Sequence, residues 1–375
     1  MSAARSPKDQ PEPAAAPATG RPMDAEPLAQ TPAITWRPRV MACGFSLRKR
    51  ALVRDFTGHG SVQFAAQPSP GAGIDTDLLL WGAAERPQGL AAEVRVVRLE
   101  DGFLRSVGLG ADLTRPLSWV LDTRGIYFDA RTPSDLEVLL QTGTFPPALM
   151  QRAADFRTQV VASGLSKYNL AGTPWQRPDT PRPVVLVVGQ VETDASIAAG
   201  CVDIRTNIGL LQAVRQQRPG AWLVYKPHPD VEAGLRRRGA HEDQARQWAD
   251  EVLQGGAMAQ ILPLVDEVHV MTSLAGFEAL LRDKPVVCHG LPFYAGWGLT
   301  TDRHPHPRRT RRLLRDELVA AALLLYPVYV GLSSRQRCTP EAALQELVAL
   351  RDARNTAGAQ VPIWRRAVRP LLARP

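Results

Sequence analysis

Two short stretches of this chain carry side chains able to do covalent chemistry. GQVETDASI, residues 189–197, places Gln190, Glu192 and Asp194 directly after the apolar run VVLVV. YKPHPDV, residues 225–231, places Lys226 and His228 at the end of the apolar run AWLVY. Carboxylates serve as nucleophiles or as general acids and bases, while a lysine and a histidine stabilise or protonate an anion. Runs such as 184–188 and 222–225 read as strands buried on both faces of a parallel sheet. Ligands of open α/β sheets sit outside the carboxyl ends of the strands. Two neighbouring strands would therefore deliver these five groups to one crevice. Every β–α unit ends in a polar loop, but five reactive groups at two strand ends exceed what turn chemistry requires.

Three further stretches carry chemistry. Glu100, Asp101 and Gly102 follow the alternating strand pattern of 94–99, and the glycine permits a sharp turn. The continuation FLRSVGLG offers Arg105, Ser106, Gly108 and Gly110, either as a nest of backbone N–H groups for an anion or as a plain side-chain-capped turn. In TSLAGFEALL, residues 272–281, Thr272 or Ser273 caps a helix whose free N–H groups suit a phosphate. Glu278 lies about a turn further in, within reach of a ribose on that phosphate; a simple capped helix has the same pattern. GLPFYAGWGLTTDR, residues 290–303, suits sugar or base stacking, or packing between domains.

The elements that position these groups follow from periodicity and punctuation. Residues 1–35, rich in Ala, Pro, Asp and Glu, read as a disordered extension. Strands are expected at 40–45, 78–81 and 94–99, and a tight pair at 117–121 and 125–128. Helices are expected at 47–54, from Ser134 with a capping box to Glu137, and over 147–170. The Pro-rich linker at 172–183 separates an N-terminal lobe, 36–180, from a C-terminal lobe, 181–335. The latter holds helices at 206–217 and 317–326, and 336–375 forms a C-terminal helix and basic tail. Alternating strands and helices make the fold class α/β.

Composition narrows the partners. The net charge is +8 and the pI about 9.7, compatible with an anionic membrane surface, an anionic sugar donor or an acidic glycan. No nucleic-acid module is recognisable, so nucleic acid is not expected. The four cysteines are far apart with no CxxC pair, which argues against a zinc site and a disulfide framework. No apolar run approaches the ~18 residues of a membrane span, and the first residues lack a signal pattern. A cytoplasmic location is expected. The tail IWRRAVRPLLARP suits an anionic bilayer surface, or is disordered.

EDGFLRSVGLG at 100–110, LSWVLDTRGIYFDA at 117–130, GQVETDASI, YKPHPDV, TSLAGFEALL and GLPFYAGWGLTTDR stand in this order across about residues 40–350. In these blocks the chain resembles the bacterial capsule β-Kdo transferases of the KpsC type. The resemblance implies a GT-B-like architecture: two Rossmann-type lobes, with the active site in the cleft between them. It also implies CMP-Kdo as donor, a short poly-β-Kdo linker as product, and a lyso-phosphatidylglycerol or Kdo-primed glycolipid as acceptor. Such an enzyme would be peripheral at the cytoplasmic face of the inner membrane. The family's Gln-x-x-x-Asp pattern maps to Gln190 and Asp194, and its His-Pro motif to His228 and Pro229. Family members carry two transferase modules in tandem, whereas this chain has room for one, closer in form to the second. That implies a second capsule Kdo transferase as partner.

The resemblance also distributes roles. A β-linked donor and a β-linked product mean retention of configuration, which by double displacement needs a carboxylate nucleophile and a separate acid/base. Asp194 is the candidate nucleophile. Glu100 and Asp101 are candidates for activating the acceptor hydroxyl, with Glu192 as the alternative. Lys226, His228, Thr272 and Ser273 would hold the phosphate, Glu278 the ribose, Gln190 the donor carboxylate or ring oxygen, and Arg105 a sugar carboxylate. No metal or cofactor is expected, since no DxD-type carboxylate set is present. Two rival readings use the same residues: a transferase with another donor, such as CMP-sialic acid or a UDP-sugar, and a non-catalytic capsule export or assembly component.

Overall fold

The computed structural model of the chain describes residues 34–68, 71–107, 114–166 and 174–356. The chain opens with β1 (Arg39–Cys43), α1 (Leu47–Thr57), β2 (Val62–Ala65), β3 (Thr76–Trp81), β4 (Arg95–Asp101) and β5 (Ser118–Asp122). Helices α2 (Asp135–Thr142) and α3 (Pro147–Ala162) follow. A second α/β run comprises β6 (Val184–Val188), α4 (Ala195–Gly200), α5 (Asn207–Gln217), β7 (Trp222–Lys226), α6 (Pro229–Glu232) and β8 (Glu251–Val252). It continues through α7 (Met258–Ile261), β9 (Glu267–Val270), α8 (Leu274–Leu280), β10 (Val286–Cys288) and β11 (Thr301–Asp302). Last come α9 (Arg315–Val319), β12 (Pro327–Val330), β13 (Arg337–Cys338) and α10 (Pro340–Thr356).

Two sheets result. The second has the order β11-β10-β9-β6-β7-β8 and is parallel throughout. Its central strand β6 is VVLVV with every residue buried, the continuous apolar run of a strand covered on both faces. The first sheet has the order β13-β12-β5-β4-β3-β1-β2. It is parallel from β2 to β4 and antiparallel from β4 to β13.

That antiparallel half corrects two expectations. Residues 125–128 are not a strand. The Asp122 carboxylate accepts hydrogen bonds from the Arg124, Gly125 and Asp135 amides at 3.0, 2.8 and 2.9 Å, which turns the chain out of the sheet. The place beside β5 is taken by β12, pairing Val328 with Trp119. The chain therefore returns to the first sheet by residue 327, inside the range assigned to the second lobe. PVYV is apolar and buried throughout, and nothing in its own sequence specifies which sheet it joins.

The path back fastens the lobes together. After α9, residues Ala320–Leu325 form a π-helical segment that is buried all round, as an Ala/Leu run without a polar face must be. Ser134 caps α2 by accepting from the Glu137 amide at 3.0 Å. The Glu137 carboxylate, however, does not complete a capping box. It accepts from Arg308 Nε at 2.6 Å and Arg309 Nε at 3.0 Å. Much of the 308–315 arginine cluster is likewise spent internally, Arg311 on Glu317 and Arg315 on Asp283. The tail read as a bilayer-binding segment lies outside the described residues. Among those described, no helix is long and apolar enough to cross a membrane.

Candidate active site

Three adjacent strands of the parallel sheet, β9, β6 and β7, each run at their carboxyl end into a helix that is capped by a side chain. Asp194 caps α4, accepting from the Ser196 amide through Oδ1 at 3.1 Å. His228 caps α6, with Nδ1 accepting from the Asp230 amide at 3.1 Å. Ser273 caps α8, accepting from the Ala275 amide at 3.3 Å. All three line one cleft of about 510 Å³. Glu100 and Asp101, at the end of β4 in the other sheet, line its opposite side with Trp81, Tyr127 and Phe128. Gln190, Lys226, Thr272 and Glu278 line it too.

The caps leave defined chemistry. No described residue bonds Asp194 Oδ2, so one carboxylate oxygen is held by the helix and the other is available. An accepting Nδ1 places the proton of a neutral His228 ring on Nε2, making that nitrogen a donor. Gln190 is 6% exposed and fully engaged: Nε2 donates to Ser196 Oγ at 2.9 Å and Thr272 Oγ1 at 2.8 Å, while Oε1 accepts from the Thr272 amide at 3.2 Å. Its role is to lock the α4 and α8 loops together, and the two residues whose hydroxyls it orients, Ser196 and Thr272, line the cleft. Lys226 is buried, and its ammonium lies 2.5 Å from Glu232 Oε2. Its charge is already neutralised within the protein.

Two residues expected at the site stand outside the cleft lining. Glu192 is a loop clamp: Oε1 accepts from the Asn207 amide at 2.7 Å and Oε2 from the Ala240 amide at 2.8 Å. Arg105 is 7% exposed and donates from Nε to Asp101 Oδ2 at 2.5 Å, so it positions a carboxylate of the cleft. Gly102 serves close approach rather than a sharp turn; a Cβ there would collide with the Ser118 hydroxyl. Gly108 and Gly110, the other half of the expected anion nest, lie outside the described residues. The 290–303 loop contributes only Pro292 and Phe293 to the cleft. Phe293 packs tilted against Phe103 and Phe277 with ring centroids 4.7 and 5.3 Å apart, and Trp297 is fully buried. Packing between the lobes, not ligand stacking, accounts for most of that loop's aromatics.

The profile of a family described as capsule polysaccharide biosynthesis protein matches residues 76–172 and 173–332, more than half of the chain. The chain belongs to that family. Capsule polysaccharide modification protein LipA of Neisseria meningitidis serogroup A is 42% identical over 321 residues, 83% of this chain and 46% of LipA. Lipopolysaccharide-processing protein LpsZ of Rhizobium meliloti is 43% identical over 303 residues, 78% of this chain and 68% of LpsZ. The chain thus spans about half the length of LipA. Two solved structures of Thermosulfurimonas dismutans KpsC are similar over 83% of the chain. The β-Kdo 2,7 transferase has 39% identity and TM-score 0.68 with 99% of that chain covered, and the β-Kdo 2,4 transferase 32% and 0.71 with 98% covered. The two-lobed α/β arrangement is GT-B-like, as in those structures.

In this member of the capsule family, three groups at or near the cleft carried no strong sequence signal. Ser196 follows Asp194 by two residues and shares the Gln190 side chain with Thr272. Lys49 of α1 sits 3.4 Å from the centre of the Trp81 ring, within the electrostatic reach of Glu100 and Asp101; burial pulls its pKa down against the pull of the two carboxylates. Arg236 lines the cleft from the arginine run after YKPHPDV. The described residues contain no cluster of three or more His, Cys, Asp or Glu able to hold a metal ion. The four cysteines are free, and burial lifts the Cys201 thiol to about 12.

Proposed function

We propose that the chain is a retaining β-Kdo glycosyltransferase of capsule polysaccharide biosynthesis, transferring Kdo from CMP-Kdo to a Kdo-primed or lyso-phosphatidylglycerol acceptor. The observation that carries this is the convergence of Asp194, His228 and Ser273, caps of helices on three adjacent strands, on a cleft faced by Glu100 and Asp101 from the other lobe. The β-Kdo 2,7 and 2,4 transferase activities of the two similar KpsC structures support the same reading. The work would be done at the cytoplasmic face of the inner membrane, alongside a second capsule Kdo transferase.

The chemistry follows from the side chains. The free oxygen of Asp194 attacks the anomeric carbon of Kdo as the bond to the phosphate oxygen breaks, and CMP departs with the electron pair. His228 Nε2 donates a hydrogen bond to that phosphate, and Glu278 takes the ribose hydroxyls. The acceptor hydroxyl then attacks the same carbon and releases Asp194, its proton passing to Glu100 or Asp101. Two inversions give retention. Arg105 acts through Asp101, by holding its carboxylate in place. The sequence of steps uses no metal or cofactor.

The test is to incubate the protein with CMP-Kdo and a synthetic Kdo-lipid, then read the products by mass spectrometry and linkage analysis. The expected product is heavier by one β-linked Kdo. Consumption of CMP-sialic acid or a UDP-sugar in place of CMP-Kdo would reassign the donor. Glycan binding with no donor consumed would make the protein an assembly component.

A further inference from the structure

The charges around the cleft do not suit an anionic ligand as they stand. Glu100, Asp101, Asp194 and Glu278 line it, against Lys226 and Arg236. The Lys226 ammonium is held at 2.5 Å by Glu232, a residue outside the lining. Asp101 is likewise held at 2.5 Å by Arg105, outside the lining, which leaves Glu100, Asp194 and Glu278 there, so a ligand that develops a phosphate dianion needs a further positive group to face it. Arg236 is the remaining side-chain cation of the lining, it is exposed, and no described residue accepts from its guanidinium.

Its placement is not accidental to the His228 turn. The Asp230 peptide is gripped from both sides: its N–H donates to His228 Nδ1 at 3.1 Å, and its carbonyl accepts from the Leu235 amide at 2.8 Å and the Arg236 amide at 3.0 Å. Gly234, at φ +67°, takes the left-handed conformation that folds the chain back to make those bonds. His228 and Arg236 are thereby two ends of one turn, and both line the cleft. A ring N–H donor and a permanent cation in that relation suit a phosphate better than a neutral sugar.

We infer that Arg236 is the phosphate-recognising cation of this site, binding the nucleoside monophosphate portion of the donor beside His228. The inference rests on the reading of the cleft as a nucleotide-sugar site. Arg236 supplies the charge that the internally paired Lys226 does not, and its contact strengthens as the phosphate gains charge on departure. Arg238, in the same arginine run but outside the cleft lining, does not share this role.

The experiment compares CMP, UMP and cytidine on the full chain, by calorimetry for the nucleotides and by NMR titration for the nucleoside. Arg236→Gln is expected to weaken CMP roughly 10–100-fold, the loss for a charge-assisted contact, and to leave cytidine within about twofold. Arg236→Lys should fall between, because an ammonium keeps the charge but not the fork. Arg238→Gln should change neither ligand by more than about twofold. A CMP affinity unchanged in Arg236→Gln overturns the inference while leaving the donor reading intact. An equal loss for cytidine also overturns it, since that marks a loop distortion. Arg236-dependent binding of UMP with none of CMP upholds the inference and overturns the cytidylate donor. A wild-type chain that binds neither nucleotide overturns both.

Discussion

The two walls of the cleft hold their reactive groups by different means. On the parallel-sheet wall, Asp194, His228 and Ser273 are fixed by backbone amides at the start of α4, α6 and α8. On the mixed-sheet wall, Glu100 also accepts from a backbone amide, that of Asp101 at 2.9 Å, but Asp101 itself is fixed by a side chain, Arg105. A backbone-held group can change its chemistry while an isosteric replacement keeps its structural bond. A side-chain-held group cannot lose its partner without disturbing the fold around it. Function and stability should therefore separate at Asp194, His228 and Ser273 and travel together at the Arg105–Asp101 pair.

The largest effect is expected at Asp194. Asp194→Asn keeps an oxygen for the Ser196 amide and removes the nucleophile, so transfer should fall ~10²–10⁴-fold or more with the melting temperature nearly unchanged. Asp194→Ala should lose the same activity and about 1 kcal/mol of stability in addition, the cost of an absent cap. Initial rates with CMP-Kdo and thermal melts read the two separately. Wild-type turnover in Asp194→Asn would remove the residue from the mechanism.

Arg105→Ala is the counterpart on the other wall. It leaves the Asp101 carboxylate without its 2.5 Å partner in a half-buried place, and removing one member of a buried pair costs about 3 kcal/mol. Activity and stability are expected to drop together in urea titrations and rate assays. A variant with full stability and lost activity would mean that Arg105 reaches the substrate directly.

Beneath the parallel-sheet wall lies a buried histidine pair. His269 Nδ1 and His289 Nε2 are 2.9 Å apart, and His269 Nε2 lies 2.5 Å from Glu267 Oε1. Burial pulls the His289 pKa down to about 4, and the bond to His269 pulls Glu267 to about 2. Between pH 6.5 and 4 the unfolded chain binds a proton at His289 that the folded chain refuses, so stability falls as pH falls through that window. Below pH 4.5 the unfolded Glu267 takes up a proton before the folded one, which extends the loss toward pH 2. With each pKa unit worth about 1.4 kcal/mol, a drop of about 2–3 kcal/mol is expected by pH 4. His289→Gln should flatten the pH 4–6.5 part of the urea midpoint profile; an unchanged slope would assign the acid sensitivity elsewhere.

The contrast between the walls also governs what could be read from the sequence. VVLVV and AWLVY announce buried parallel strands, and a polar residue after such a run has few places to go but the strand end. Asp194 and His228 were legible for that reason, and Ser273 as a cap candidate of the TSLAGFEALL helix. Glu192 has the same local signature as Asp194, and only the fold shows that its carboxylate turns back to the Asn207 and Ala240 amides. Lys226 was legible as a cation but not as a neutralised one, because Glu232 approaches it through a turn whose geometry no spacing rule states. The mixed-sheet wall depends on contacts far apart in the chain. β12 returns to pair with β5, and Phe103, Tyr127, Phe277 and Phe293 pack from four segments, so neither appears in a local pattern.

The smallest predicted effect is the most direct test of backbone positioning. His228 has two functions in the proposed reading: Nδ1 accepts from the Asp230 amide, and Nε2 would donate to the phosphate. Asparagine is a good N-cap and can replace the first function but not the second. His228→Asn should therefore lower CMP affinity about tenfold, the loss of one hydrogen bond to a charged group, with α6 and the melting temperature preserved. His228→Ala should show the same affinity loss and a further destabilisation of about 1 kcal/mol, through the lost cap. If His228→Asn binds CMP as tightly as the wild type while His228→Ala does not, the ring matters only as a cap. The parallel-sheet wall would then hold its ligand through the turn that the cap maintains, not through the imidazole itself.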